Sequence, residues 1–196
     1  MSAAPARRPV SGPELRADAA RNRAAVLAVA RRMLLAGDTS LPMNVIARTA
    51  GVGVGTVYRH FPTRQLLLES LAMDSFTQLL DEARAAAADA DPGRGMARLL
   101  RTALDCLLDD VGLAAVLQSG QAACIETSDL LGDLLTVFDG LLERARAVGT
   151  IRLDVGPDDL RRYLCGLATG VRLGQGRPDQ IDRDLDVLLT GLRPHR

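Results

Sequence analysis

The sequence predicts an all-α protein. Apolar residues make up 47% of the chain and are mainly leucine, alanine and valine, whereas aromatic residues make up only 3%. The apolar residues recur at helical spacing in long stretches, and glycine and proline fall between these stretches. No segment alternates apolar and polar residues for long enough to predict a strand. A chain of 196 residues with this composition can bury a core in one or two small domains.

The chain begins with a predicted tail and a first helix. Residues 1–15 contain three prolines and are predicted to be a disordered tail. The next segment, LRADAARNRAAVLAVARRMLLAG, has Val26, Ala30 and Met33 at helical spacing. Gly37 is the predicted end of this helix.

Two short helices are predicted to follow. The second helix has Ser40 available as its N-cap, and Gly51 ends it. The third helix has one apolar stripe, because Val57 and Phe61 lie four residues apart, and Pro62 ends it.

The rest of the chain predicts longer helices. Thr63 can cap a fourth helix that runs to the break at residues 91–93. The pair Glu126 and Thr127 is predicted to separate two of the later helices. Five further helices are predicted near residues 94–110, 113–125, 128–148, 157–174 and 179–192.

Charge is distributed unevenly along the chain, although the net charge is zero. Residues 1–64 hold ten arginines against three acidic residues, a net charge of +7, so the remainder carries −7. A basic first third attached to an acidic remainder is expected when one end of a protein meets a polyanion. The alternative is a basic tail that touches nothing.

The stretch AGVGVGTVYRHFPTR, residues 50–64, raises the possibility of a nucleotide-binding loop. The dinucleotide pattern G-x-G-x-x-G fails in both registers, because Thr56 or Tyr58 stands where the third glycine belongs. The preceding segment also has the period of a helix, whereas that loop follows a strand. The P-loop pattern fails as well, since the chain has no Gly-Lys pair. We therefore predict no cofactor.

Two short helices joined by a glycine turn predict a helix-turn-helix instead. Small Ala47 allows close packing of the two helices, and Gly51 can adopt the positive φ that ends the first of them. Val57 and Phe61 are expected to face inward. The residues left open to solvent, and able to touch DNA, are then Gly55, Thr56, Tyr58, Arg59 and His60.

Residues 26–71, VLAVARRMLLAGDTSLPMNVIARTAGVGVGTVYRHFPTRQLLLESL, resemble the TetR family of helix-turn-helix transcription regulators. The segment IARTAGVGVGTVYRHF is highly specific, whereas the rest of the chain resembles the family only in its organisation as several helices. Leu34 and Asp38 depart from the usual phenylalanine and glycine, away from the DNA-facing surface. The resemblance implies a three-helix DNA-binding domain over residues 16–76. A long fourth helix joins it to a helical effector-binding and dimerisation domain over residues 77–196.

The resemblance also implies a homodimer that places the third helix of each subunit in successive major grooves of a palindromic, double-stranded operator. His60 matches a common polar neighbour of the family's phosphate-binding tyrosine; alternatively it is a cap or a surface residue. The candidate DNA-binding residues are Arg48, Gly55, Thr56, Tyr58, Arg59, His60 and Arg64.

These candidates divide into two roles. Tyr58 matches the family tyrosine that contacts phosphate, and Arg64 matches the basic residue at the start of the fourth helix. Gly55 and Thr56 match positions at the base edges, and Arg48 matches a position that can reach a base. Arginine and tyrosine tips bind phosphate oxygens, whereas a threonine methyl can pack on a thymine methyl. The alternative for Tyr58 is a packing aromatic.

The last two helices of the family usually form a four-helix interface with the partner subunit. Gly166 and Gly170 permit close helix approach here. The predicted apolar contacts are Leu164, Leu167, Val171, Leu185, Leu188, Leu189 and Leu192. The alternative is that these helices complete the core of one subunit.

A pocket between the fourth and seventh helices is predicted to bind a largely apolar small molecule, because this region is rich in leucine and alanine. The candidate lining residues are Met73, Phe76, Met96, Leu100, Leu104, Gln118, Gln121 and Phe138. The alternative for these residues is an ordinary place in the core.

Other classes of protein are disfavoured. The only histidines are His60 and His195, and there is no Ser-His-Asp set, so an enzyme that uses histidine is excluded. The three cysteines lie far apart, which favours buried hydrophobic positions over a metal site, with a redox-sensing thiol as the alternative. No membrane span or signal peptide is visible, which predicts a cytoplasmic protein without a membrane partner.

We predict a ligand-responsive transcription regulator, a class whose members in this family are most often repressors. The alternative is a dimeric small-molecule-binding or interaction protein that no longer binds DNA specifically. The cluster of Tyr58, Arg59, His60 and Arg64 and the basic charge of residues 1–64 favour the regulator.

Overall fold

The computed structural model describes residues 12–119, 122–174 and 177–194, and these residues form helices and no strand. The all-α prediction is therefore confirmed. Nine helices cover these ranges: α1 (Gly12–Leu35), α2 (Met43–Thr49), α3 (Val54–His60), α4 (Arg64–Ala87), α5 (Pro92–Asp109), α6 (Val111–Ser119), α7 (Ile125–Ala147), α8 (Pro157–Leu173) and α9 (Pro178–Gly191). Within the described ranges, every helix is too short or too polar to span a bilayer.

The chain divides into two compact units, the first ending at Leu67 and the second beginning at Leu68. Of the predicted tail, residues 1–11 lie outside the described residues, and residues 12–15 form the start of α1.

In the first unit, α1, α2 and α3 pack around one small core. Val26, Ala30, Ile46 and Val57 are fully buried, and Phe61, just after α3, is 1% exposed. Each of these side chains lies at the helical spacing seen in the sequence, so the apolar stripes of three short segments meet at one place. This core fixes α3 with its opposite side turned to solvent.

The loop between α1 and α2 differs from the prediction. Ser40 does not cap α2, because α2 begins only at Met43 and has Pro42 as its N-cap. The Ser40 hydroxyl and N–H instead donate to the Asp38 carboxylate, at 2.6 and 3.0 Å. The hydroxyl hydrogen bond is the main reason that the pKa of Asp38 lies below its usual value.

In the second unit, α5 packs against α6, α7 and α8. Close approach of α5 to α4 depends on Gly95, because a Cβ at this position would lie 2.5 Å from the carbonyl oxygen of Ala86. The pair Glu126 and Thr127 lies in the first turn of α7 and does not separate two helices. The prediction was wrong here because the Cys124 thiol accepts the Thr127 N–H at 3.4 Å and caps the helix one turn earlier.

Candidate DNA-binding surface and effector cavity

The turn between α2 and α3 is a Schellman motif. The Gly51 N–H donates to the Arg48 carbonyl at 3.2 Å, and the Val52 N–H donates to the Ala47 carbonyl at 3.0 Å. Gly51 has a φ of +69°, as the sequence predicts for a residue that ends α2 and reverses the chain. The motif satisfies the last carbonyl groups of α2 and sets the direction in which α3 begins.

Side chains of α3 lie on two sides of the helix. Val57 is fully buried, whereas Tyr58 is 49% exposed and Arg59 is exposed. Thr56 and His60 lie at the border and are half-buried. Gly55 is exposed, and a Cβ built on it would meet no heavy atom within 4 Å. The predicted α3 residues therefore occupy one continuous surface around the solvent side of the helix.

The other two candidate residues flank this surface along the chain. Arg48 is exposed in the last turn of α2, immediately before the glycine turn. Arg64 is exposed at the first position of α4, and its guanidinium donates a hydrogen bond to the Thr39 carbonyl oxygen in the α1–α2 loop. Arg64 thus fixes the start of α4 to the first unit while keeping its charge at the surface.

A contact that sequence reasoning missed supports the end of α3. The guanidinium carbon of Arg23 lies 5.3 Å from the centroid of the Phe61 ring, a cation–π arrangement. The His60 ring lies on Phe61 as well, with centroids 6.2 Å apart and an interplanar angle of 51°. Phe61 thus lies beside a guanidinium and an imidazole at the end of α3.

An apolar cavity of about 210 Å³ lies within the second unit. Its walls come from α4 to α8 and are almost entirely aliphatic. The lining residues are Leu79, Leu99, Leu100, Ala103, Val116, Leu117, Leu131, Leu134, Leu135, Phe138, Pro157, Asp158, Leu160, Arg161 and Leu164.

The predicted pocket residues divide between this cavity and other places. Leu100 and Phe138 line it. Phe76, Met96 and Leu104 are buried in the core of the second unit, Met73 is half-buried, and Gln118 is exposed on α6, so none of these five lines the cavity. Gln121 lies outside the described residues.

Two charged residues near the start of α8, Asp158 and Arg161, belong to the lining of the cavity. The Arg161 side chain is 30% exposed, and its Nε lies 3.3 Å from Oδ1 of Asp158. Its Nη1 donates to the Leu117 carbonyl oxygen of α6 at 2.8 Å. Arg161 therefore joins α8 to one of the last carbonyl groups of α6, which has no partner within its own helix.

A buried carboxylate, also missed by sequence reasoning, joins α4 to the start of α7. Glu69 is fully buried, and its two carboxylate oxygens accept the N–H groups of Ala123 and Cys124 at 2.6 and 3.0 Å. Next to it, the Thr127 hydroxyl lies 2.9 Å from the Cys124 sulfur and 3.8 Å from that of Met73. The charge of Glu69 is thus stabilised by backbone donors at a helix N-terminus.

The predicted interface residues of α8 and α9 mostly face inward. Leu164, Val171, Leu185 and Leu192 are buried, and Leu167, Leu188 and Leu189 are half-buried against the core of the second unit. The outer side of α8 presents a different row, in which Gly166 and Gly170 lie between Tyr163, 46% exposed, and Leu173, 82% exposed. Val187 of α9 is 73% exposed.

The cysteines are all free thiols. Cys106 and Cys165 are buried, and burial raises the pKa of both thiols. Cys124 serves as the cap of α7. Among the residues that the structure describes, no group of side chains could hold a metal ion.

Two family models match the chain. Residues 26–71 match the model described as bacterial regulatory proteins of the tetR family. Residues 91–194, more than half of the chain, match the model described as the C-terminal domain of SbtR-like transcriptional regulators. No curated protein gives a significant match.

Solved structures give the same result. A TetR transcription regulatory protein of Mycobacterium vanbaalenii is 35% identical over 92% of this chain and 99% of that chain, with a TM-score of 0.45. A TetR transcriptional regulator of Streptomyces coelicolor is 34% identical over 89% and 99%, with a TM-score of 0.51. FadR of Bacillus subtilis, in complex with stearoyl-CoA, is 18% identical over 86% and 98% with a TM-score of 0.58, and shares the fold. The chain therefore belongs to the TetR family, whose members are DNA-binding transcription regulators and not enzymes.

Proposed function

We propose that the protein is a ligand-responsive repressor that binds a palindromic operator as a homodimer. The observation that carries this proposal is the exposed surface of α3, with Tyr58 and Arg59 turned to solvent over the buried Val57. A short, rigidly packed helix with polar side chains on its outer side fits the major groove. The charge of +7 on residues 1–64 supplies the attraction to DNA.

Within this surface, different residues hold the DNA and read it. Tyr58 and Arg64 bind phosphates, since a phenol and a guanidinium donate to phosphate oxygens. Thr56 and Arg48 contact base edges, because a threonine methyl packs on thymine and an arginine can donate to guanine. Gly55 lets the backbone of α3 approach the bases, since nothing projects from it.

The remaining candidates, Arg59 and His60, lie in the last turn of α3. Both can donate to the phosphate backbone at the edge of the groove. Because such contacts carry no base information, they add affinity and fix the register of α3.

The outer side of α8 is the proposed centre of the homodimer interface. Gly166 and Gly170 leave room for a partner helix to approach closely, and Tyr163 and Leu173 supply apolar area on either side. The leucines of α8 and α9 that the sequence predicts for this role, which are buried or half-buried in each subunit, support the interface from beneath.

The apolar cavity of the second unit is the proposed effector site. Its aliphatic walls fit a largely apolar small molecule. FadR of Bacillus subtilis, which shares the fold, holds stearoyl-CoA, and this supports a ligand site in the present chain too. The effector releases DNA because it binds more tightly to the conformation with the lower DNA affinity.

Selection of bound fragments from a genomic DNA library, followed by footprinting, tests the proposal. We expect a palindrome whose half-sites lie about 34–36 Å apart, or slightly more. Protection of a single half-site contradicts the dimeric geometry. If no fragment is enriched, the chain is a small-molecule-binding or interaction protein built on a regulator scaffold.

A further inference from the structure

We infer that the cavity of the second unit binds a small amphipathic carboxylate, with the acid group held by Arg161. This inference rests on the proposed role of the cavity as the effector site. It adds to that role a chemical class of ligand, an orientation and a residue that selects the ligand.

The distribution of charge around the cavity gives the orientation. Asp158 and Arg161 are the charged members of the lining, and both lie on the first turns of α8. The rest of the wall consists of side chains such as Leu100, Leu134 and Phe138, which offer a ligand no hydrogen bond. A bound molecule therefore places its apolar body against these residues and its polar group at α8.

The hydrogen bonds of Arg161 determine which polar group it can accept. Nη1 is engaged by the Leu117 carbonyl at 2.8 Å, so this part of the guanidinium is fixed in place. Nε makes one long contact of 3.3 Å with Asp158, whose side chain is 88% exposed. An ion pair with a partner so well hydrated is weak.

The edge formed by Nε and Nη2 of Arg161 therefore suits a planar, bidentate acceptor. A ligand carboxylate matches two parallel N–H donors of a guanidinium. It replaces a single long contact to Asp158 by two charge-assisted hydrogen bonds to a guanidinium whose side chain is 30% exposed. A hydroxyl or amide in the same place gains less, because it carries no charge and cannot accept two parallel bonds in this way.

The volume of the cavity limits the apolar part. About 210 Å³ is less than the roughly 300–1,000 Å³ of pockets for drug-sized ligands. We therefore expect a compact body, such as a short alkyl chain or one substituted ring.

The test uses two matched pairs of probes, 4-ethylbenzoate with 4-ethylbenzyl alcohol and octanoate with 1-octanol, titrated calorimetrically into the full chain. We expect the carboxylate of at least one pair to bind about tenfold more tightly than its alcohol. Arg161→Gln removes this preference while alcohol affinity stays within about threefold. Asp158→Asn strengthens carboxylate binding, because it removes the competing acceptor. Arg162→Gln, a change at the neighbouring arginine outside the lining, leaves both affinities unaltered.

Comparison within each pair separates recognition from folding, since a partly unfolded variant loses both probes equally. If the alcohols bind as well as the carboxylates, or Arg161→Gln weakens both probes alike, the role of Arg161 is wrong and the apolar effector site stands. If neither member of either pair binds, the effector site itself is overturned together with this inference.

Discussion

The surface of α3 and the cavity of the second unit are assembled from very different lengths of sequence. The α3 surface comes from consecutive residues around one glycine turn. The cavity draws on five helices, from Leu79 to Leu164. The α3 surface depends on local backbone geometry. The cavity depends on contacts between helices that lie far apart in the sequence. A destabilising substitution at one of these sites should therefore loosen the unit that contains it and leave the other unit folded.

Electrostatics distinguish the same two regions. Residues 1–64 carry +7 and the remainder carries −7. An excess of positive charge attracts a polyanion, and this attraction weakens with salt. In the second region the cavity is mainly apolar, and its lining contains two charged residues, Asp158 and Arg161. The first site is thus suited to a long polymer and the second to a small molecule.

The largest effect should come from a change in the second unit that never touches the DNA-facing surface. Gly170→Gln places a long side chain at the centre of the proposed α8 interface, where a new Cβ meets nothing within 4 Å in the subunit itself. We expect a folded monomer whose operator affinity falls by about 100-fold or more, because two linked binding events become independent. Sedimentation and an operator titration measure the two effects. Gly140→Gln, at an equally open site on α7, is the control and stays dimeric. If the Gly170→Gln variant remains a dimer with full operator affinity, the proposal that α8 forms the interface is wrong.

The next largest effect tests a contact between distant segments. Glu69→Ala deletes the acceptor of two backbone N–H groups at the start of α7, and should lower the free energy of unfolding by about 3 kcal/mol. Urea unfolding gives the magnitude, and hydrogen exchange should rise around α7 and not in α2 and α3. Glu126 is an exposed carboxylate in the first turn of α7 itself. Glu126→Ala is the control and should lower the free energy of unfolding by no more than about 1 kcal/mol. Equal losses in the two variants speak against a special role for Glu69.

A smaller effect concerns the packing of α5 on α4. Gly95→Ala puts a methyl group 2.5 Å from the Ala86 carbonyl oxygen, so α5 must shift, at a cost of about 1–3 kcal/mol. Gly140→Ala has open space and should stabilise by about 0.5–1 kcal/mol, because alanine favours a helix. Thermal unfolding of both variants measures the opposite signs. If both variants change stability in the same direction, α5 does not approach α4 as closely as the structure shows.

The smallest effect tests the local geometry of the first unit. Gly51→Ala forces a side chain to adopt a φ of +69° and should cost about 1–2 kcal/mol. Because the strain is local, hydrogen exchange should rise in α2 and α3 and remain unchanged in α5 and α8. If hydrogen exchange rises throughout both units, the inference that each unit can loosen without the other is wrong.

These two modes also explain how much the sequence could predict. The helix-turn-helix was predicted in detail because the spacing of Val57 and Phe61 and the position of Gly51 are visible within a dozen residues. Glu69 and Cys124 lie 55 residues apart, so no local pattern indicates that they meet. The start of α7 was misplaced for a separate, local reason, because the Cys124 thiol caps the helix one turn earlier than the sequence predicts.

Apolar periodicity predicts which side of a helix is buried, but not what covers it. Of the predicted pocket residues, Leu100 and Phe138 line the cavity, because which core side chains border a void depends on packing among five helices. The leucines of α8 and α9 gave the strongest apolar signal, and within one subunit some of them are buried and the others half-buried. The exposed row that contains Gly170 and Leu173 combines small and large residues, so its apolar periodicity is weaker and did not indicate an interface.

The central claim is that Thr56 and Arg48 read DNA bases while Tyr58 and Arg64 hold phosphates, and a salt titration of four variants on operator and unrelated DNA tests it most directly. Tyr58→Phe and Arg64→Ala should weaken binding to both DNAs about equally, and Arg64→Ala should reduce the salt slope by about one. Thr56→Ala and Arg48→Ala should each cost about 1–3 kcal/mol on the operator and leave unrelated DNA almost unaffected. Circular dichroism confirms that each variant folds. Uniform loss in all four variants, or no loss in any, would contradict the claim.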